Sequence, residues 1–261
     1  MELSIYQVDA FTNKVFGGNP ACVIPLKNWI KDEILIKIAQ ENAVSETAFF
    51  IEKENEFHLR WFTPDIEMDL CGHATLATAF VIKKFLNYSK NEINFKTLSG
   101  NLKVTSCDDL FTLDFPSRDP VEVELPEIIK KAVNIPPART YKSRDYVLIY
   151  DNQSEIENIN VDPQILNQLD LKTGGIIVTA KGDNSDFVSR FFTPRSSILE
   201  DPVTGSAHCS LIPYWSKVLN INEMKAFQLS KRKGELLCVD KGERVLITGN
   251  AKIYSKGSIW I

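Results

Sequence analysis

One phrase occurs twice in this chain. Arg60-Trp61-Phe62-Thr63-Pro64 returns half a chain length later as Arg190-Phe191-Phe192-Thr193-Pro194, in a sequence of 261 residues. Each copy runs on to an acid and a turn of small residues: Asp69-Leu70-Cys71-Gly72-His73-Ala74, and Asp201-Pro202-Val203-Thr204-Gly205-Ser206-Ala207. Farther on, Gly100-Asn101-Leu102-Lys103-Val104 is echoed by Gly234-Glu235-Leu236-Leu237-Cys238-Val239. Self-similarity on this scale constrains the fold more than any composition does. It implies two similarly folded halves related by a pseudo-two-fold, with matching turns that could face one cleft.

The expected halves are residues 1–118 and 119–261, and the C-terminal strand Ser258 to Ile261 could pair back with the first. Ile135-Pro136-Pro137-Ala138 reads as a hinge near the midpoint. Short β-type runs bounded by Gly, Pro, Asn and Asp dominate both halves. Two longer apolar segments with helical spacing, Gly72 to Leu86 and Thr204 to Leu219, begin right after the repeated turns. Amphipathic stretches near Asp32–Gln40, Pro126–Val133 and Pro163–Leu169 suit outer helices. The expected fold is therefore α+β: two pseudo-symmetric domains, each a curved, mostly antiparallel sheet wrapped around a central helix.

Composition removes several classes of function. A net charge of −4 offers no basic stripe for nucleic acid. No apolar run approaches the roughly 20 residues that span a bilayer. Met1-Glu2-Leu3-Ser4 has no basic lead and no signal core, so a cytoplasmic location is expected. Five cysteines without a C-x-x-C, and three histidines without zinc spacing, predict free thiols and no structural metal.

A small-residue turn opening a helix leaves backbone N–H groups without intrahelical partners at the positive end of the dipole. Gly72 and Gly205 allow close approach there, and Asp69 or Asp201 could cap the helices. Such ends suit a carboxylate or phosphate. The halves differ where chemistry would sit. A symmetric racemase wants two matched acid/base groups, yet Cys71 aligns with Thr204, and Cys209 lies too far along the helix to replace it. Glu46 stands directly before an apolar strand, whereas the matching stretch Thr173-Gly174-Gly175-Ile176 has no acid. A carboxylate there can be partly desolvated, which favours proton transfer. His73 lies at a helix start, where the dipole favours the neutral imidazole, and His208 reads as a core histidine.

Val8-Asp9-Ala10-Phe11-Thr12, Gly18-Asn19-Pro20-Ala21, Ser45-Glu46-Thr47, Cys71-Gly72-His73-Ala74-Thr75 and Asp201-Pro202-Val203-Thr204-Gly205-Ser206-Ala207 together resemble the phenazine-biosynthesis isomerase-like (PhzF-like) family. The match covers nearly the whole chain in order. The resemblance implies the diaminopimelate-epimerase-like fold and a cofactor-independent isomerase. It implies that Glu46 is the proton shuttle, with His73 and Asp201 as catalytic partners. Gly72, Gly205 and Ser206 fall on its substrate-binding turns, and Ser45, Cys71 and Thr204 beside them are expected to contact substrate.

The expected activity is thus a proton shift, and with it a double-bond shift, on a small carboxylate-bearing substrate, with no cofactor. Two rivals stay open: an amino-acid racemase or epimerase using Cys71, and a non-catalytic small-anion binding protein. The expected partner is a small anionic substrate, with no nucleic acid and no membrane; a homodimer is an open expectation.

Overall fold

The computed structural model describes residues 1–53 and 56–261. The chain divides into two compact units, residues 1–115 with 247–261, and residues 116–246.

The first unit contains β1 (Glu2–Ala10), β2 (Asn19–Leu26), α1 (Asp32–Asn42), β3 (Glu46–Lys53), β4 (Glu56–Phe62), β5 (Glu67–Met68), α2 (Gly72–Phe85), β6 (Glu92–Thr97), β7 (Gly100–Cys107) and β8 (Leu110–Pro116). The second contains β9 (Val121–Glu122), α3 (Glu127–Ala132), β10 (Arg139–Lys142), β11 (Tyr146–Ile149), α4 (Gln153–Asn158), α5 (Pro163–Leu166), β12 (Ile176–Lys181), β13 (Phe187–Phe192), β14 (Glu200–Asp201), α6 (Gly205–Leu219), β15 (Glu223–Gln228) and β16 (Gly234–Asp240). The last strand, β17 (Arg244–Trp260), begins in the second unit and continues into the first, where it pairs antiparallel with β1 and also with β8.

The two units repeat one pairing scheme. In the first, β2 and β3 are parallel across α1, β3–β4 and β4–β5 are antiparallel, β4–β6 is parallel across α2, and β6–β7 is antiparallel. In the second, β11–β12, β12–β13, β13–β14, β13–β15 and β15–β16 follow the same sequence of orientations.

The repeated phrase is a clamp that fixes the entry to each long helix. Arg60 on β4 forks onto Glu67 of β5, with both N···O distances 2.7 Å, and its guanidinium lies 5.0 Å from the Phe62 ring centroid. Arg190 on β13 forks onto Glu200 at 2.7 and 3.0 Å and lies 5.0 Å from Phe192. Bidentate pairing sets register as well as energy. The third arm differs: Arg60 reaches Asp32 in the first turn of α1, whereas Arg190 donates to the carbonyls of Ile156 and Ile159 at the end of α4.

Residues Gly72 to Ile82 of α2 and Gly205 to Ser216 of α6 are buried on every side, which explains why neither stretch carries an Asp, Glu, Lys or Arg. Pro213 inside α6 cannot donate to the carbonyl of Cys209, four residues back. That carbonyl instead accepts the backbone N–H of Arg118 at 2.9 Å. The amphipathic α1 packs Leu35, Ile38 and Ala39 against Ile24, Phe49 and Phe62, and a matching cluster joins Ile129, Ile156 and Leu166 to Leu148 and Val178.

Two expectations are corrected. Ile135–Ala138 is no hinge: Ala138 N–H donates to Ile149 and Tyr150 Oη donates to the Ile135 carbonyl, both within the second unit. Neither Asp69 nor Asp201 is a helix cap: the N-cap residues are Cys71 and Thr204, and neither side chain caps its helix. Among the described residues, no helix is long and apolar enough to cross a membrane.

Candidate active site

In the first unit, three elements converge on the start of α2. Glu46 is the first residue of β3, placed by the turn that carries Ala43 and the buried Ser45 out of α1. Cys71 and His73 flank the first helical residue, Gly72. Asn19 opens β2. Gly18 makes that position reachable: its φ is +60°, and a Cβ there would lie 2.0 Å from the Ala10 carbonyl oxygen, so only glycine fits. The preceding loop is tied by Asp9, whose carboxylate accepts the Phe16 N–H at 2.8 Å.

His73 is the hub. Its Nε2 lies 3.1 Å from Glu46 Oε2, with both side chains almost wholly buried. Its Nδ1 lies 3.0 Å from the Asn19 amide nitrogen and 3.6 Å from Cys71 Sγ. Despite their closeness, Glu46 Oε2 and His73 Nε2 are not aligned as a hydrogen bond, and among the described residues neither atom has another partner. They form an ion pair when the ring is charged, and with no hydrogen-bond partner among the described residues each can still engage a third group.

Burial alone would hold His73 in the neutral form, but the charges of Cys71 and Glu46 act against it and prevail, so the imidazole is pushed well above its usual range. This corrects the expectation of a neutral ring at the helix start: contacts at 3–4 Å outweigh the dipole. Burial, reinforced by the charge of Glu46, pushes the Cys71 thiol up to about 11, so it stays protonated at neutral pH.

Glu46, Cys71 and His73 each offer a ligand atom within 4.8 Å of the others. They suit a metal ion poorly. Burial pushes the Cys71 thiol up, and a protonated thiol resists the deprotonation that ligation needs.

In the second unit, Asp201 ends β14 and accepts the Thr204 hydroxyl. The fully buried Gln228 braces this turn: its Oε1 accepts the Thr204 N–H at 2.8 Å, and its amide donates to the Asp201 carbonyl at 2.8 Å. Ser206, the counterpart of His73, accepts from Arg144 Nη2 at 3.0 Å, and Arg144 forks onto the buried Asp145. Strand register matches Glu46 with Gly175. A Cβ at Gly175 would lie 2.4 Å from the Phe191 ring, so no side chain fits where the first unit carries its acid. His208 donates from Nδ1 to the Thr204 carbonyl at 2.9 Å, and burial holds its pKa down to about 4. It is a neutral core histidine.

Sequence reasoning about single residues passed over Asn19, Gln228 and the Arg144–Asp145 pair. The string Gly18-Asn19-Pro20-Ala21 was the one available signal for the first; nothing local marks the others.

The chain matches the model of the phenazine biosynthesis-like protein family over residues 8–257. It belongs to that family. A curated relative, an uncharacterized isomerase of Pseudomonas aeruginosa, is 44% identical over 259 residues, covering 99% of each chain. The crystal structure of a phenazine biosynthesis protein of the PhzF family from Enterococcus faecalis superimposes with a TM-score of 0.94 at 43% identity, covering all of both chains. At the level of fold alone, this PhzF-family chain is also similar to a hydroxyproline epimerase from Agrobacterium vitis, with TM-score 0.63 and 10% identity over 99% and 92% of the two chains.

Proposed function

We propose that this PhzF-family protein is a cofactor-independent isomerase that moves a proton, and hence a double bond, on a small carboxylate-bearing substrate. The observation that carries this reading is the Glu46–His73 pair: two buried, unaligned proton-exchanging atoms 3.1 Å apart, with no hydrogen-bond partner among the described residues. Glu46 takes the proton from one carbon and returns it to another. His73, held at Nδ1, keeps Nε2 beside the carboxylate and stabilises the charge that develops as the proton moves.

The first-turn amides of α2 carry no side-chain cap, so the Cys71–Gly72 turn suits the substrate's carboxylate, and Ser45 is assigned as a further contact to it. The Thr204–Gly205–Ser206 turn of the second unit has the same character, and Asp201 is assigned as a substrate-polarising group.

The two rivals fare differently. A Cys71 racemase needs a thiolate, and burial opposes one. A pure binding protein has no use for a proton acceptor 3.1 Å from an imidazole. Incubating wild type with a panel of small cyclic and amino carboxylates in D2O, followed by proton NMR, separates all three. Deuterium at a carbon different from the one that loses hydrogen supports the isomerase. Deuterium at the same carbon with inversion points to the racemase, and binding without exchange points to the carrier.

A further inference from the structure

We propose that Asn19 is a positioning residue for this chemistry, holding the His73 ring through Nδ1 so that Nε2 stays beside Glu46, and serving either protonation state of the ring by presenting either end of its amide. The inference rests on the functional reading above in treating His73 and Glu46 as proton-exchanging partners.

Three observations carry it. Asn19 and His73 are both buried, and their contact of 3.0 Å joins β2 to α2 across 54 residues of sequence. The contact is built in by the backbone, because Gly18 adopts a conformation and an approach that no other residue could share. The second unit uses the same device with different chemistry. There the segment entering β11 grips the start of α6, with Arg144 on Ser206 at 3.0 Å and Ser143 on Ser210 at 2.7 Å. Where the helix-start residue is a serine, the grip is a single arginine hydrogen bond; where it is an imidazole, the grip is a neutral amide.

The choice of a neutral amide has a chemical reason. The titratable groups against the ring are Glu46 at Nε2 and Cys71 near Nδ1. A neutral ring with its proton on Nε2 needs a donor at Nδ1, which the Asn19 NH2 supplies. A charged ring needs an acceptor there, which the Asn19 carbonyl supplies once the amide turns over. An aspartate could only accept, and would hold a proton on Nδ1 permanently.

The test uses protein labelled with 15N in histidine, without substrate, as wild type, Asn19→Asp and Asn19→Leu. Neutral His73 in wild type should show a bare Nδ1 and a protonated Nε2. Asn19→Asp should raise the His73 midpoint by about 1–3 pH units, as an added opposite charge at this distance does. On a substrate that wild type exchanges, Asn19→Leu should lower kcat by at least about tenfold with KM little changed, the mark of a group needed in the transition state rather than in binding. A protonated Nδ1 in the neutral wild-type ring, or an unmoved midpoint in folded Asn19→Asp, would overturn the assignment. Absence of exchange in wild type would undo the functional reading alone, since the titration is read without turnover.

Discussion

His73 and His208 are both buried near the start of a long helix, yet their partners drive them apart. His208 bonds to a neutral partner, the Thr204 carbonyl, and burial prevails. Its folded pKa of about 4 lies below the usual value, so its contribution to stability is full above about pH 6.5 and is lost as pH falls toward 4. By pH 5 the loss should be roughly 2 kcal/mol. Urea midpoints at pH 7.5 and pH 5 should therefore fall farther in wild type than in His208→Leu; equal falls would mean the ring is charged in the fold. His73 has the opposite sign: its raised pKa gives a contribution that is full below about pH 6.5 and lost as pH rises through the folded value. Cys71 is packed and protonated, so Cys71→Ser should change turnover by less than about tenfold, measured as kcat on an accepted substrate. Glu46 was legible in the sequence as a break in the symmetry between the halves, and His73 as an imidazole at a helix start. The bond from Asn19 to His73 was not, because a tertiary contact across 54 residues leaves no local pattern.

The repeated phrase announced the elements correctly and their purpose only partly. Its arginines are clamps on β5 and β14, strands of two residues each, far too short to show periodicity. The long helices, by contrast, were readable to within about two residues, because a helix buried all round is mostly apolar and free of charged side chains over its buried length. Arg190 pairs with a half-buried Glu200 and also holds two carbonyls of the α4 end. Arg190→Ala strands those groups and should cost about 2–4 kcal/mol in denaturant unfolding, whereas an ordinary exposed pair would cost under about 1. The α1 C-cap offers a gain. Exposed Ala43 is held at φ +49°, where a Cβ is strained, so Ala43→Gly should stabilise the chain by about 0.5–1 kcal/mol even after the entropy glycine adds to the unfolded state. A fall in stability would show that the left-handed turn is not the one adopted.

At the scale of the molecule, one pairing scheme occurs twice, and what was kept differs from what was changed. Both units keep the parallel pair, the clamp and the buried helix; the first places Glu46 where the second has Gly175, a position closed by the Phe191 ring. Duplication and the return of the C-terminal strand to the first half were visible in the sequence, but the unbroken length of β17 was not, since its strand signal stops well short of its 17 residues. In the proposed reaction this asymmetry makes Glu46 the single shuttling base. Deuterium incorporation from D2O into one accepted substrate, compared between wild type and Glu46→Gln, tests it most directly. Glutamine keeps the shape and most hydrogen bonds but accepts no proton. Exchange should fall by about 10²–10⁴-fold while the dissociation constant for the substrate changes little. Exchange at the wild-type rate in a folded Glu46→Gln protein would contradict the account.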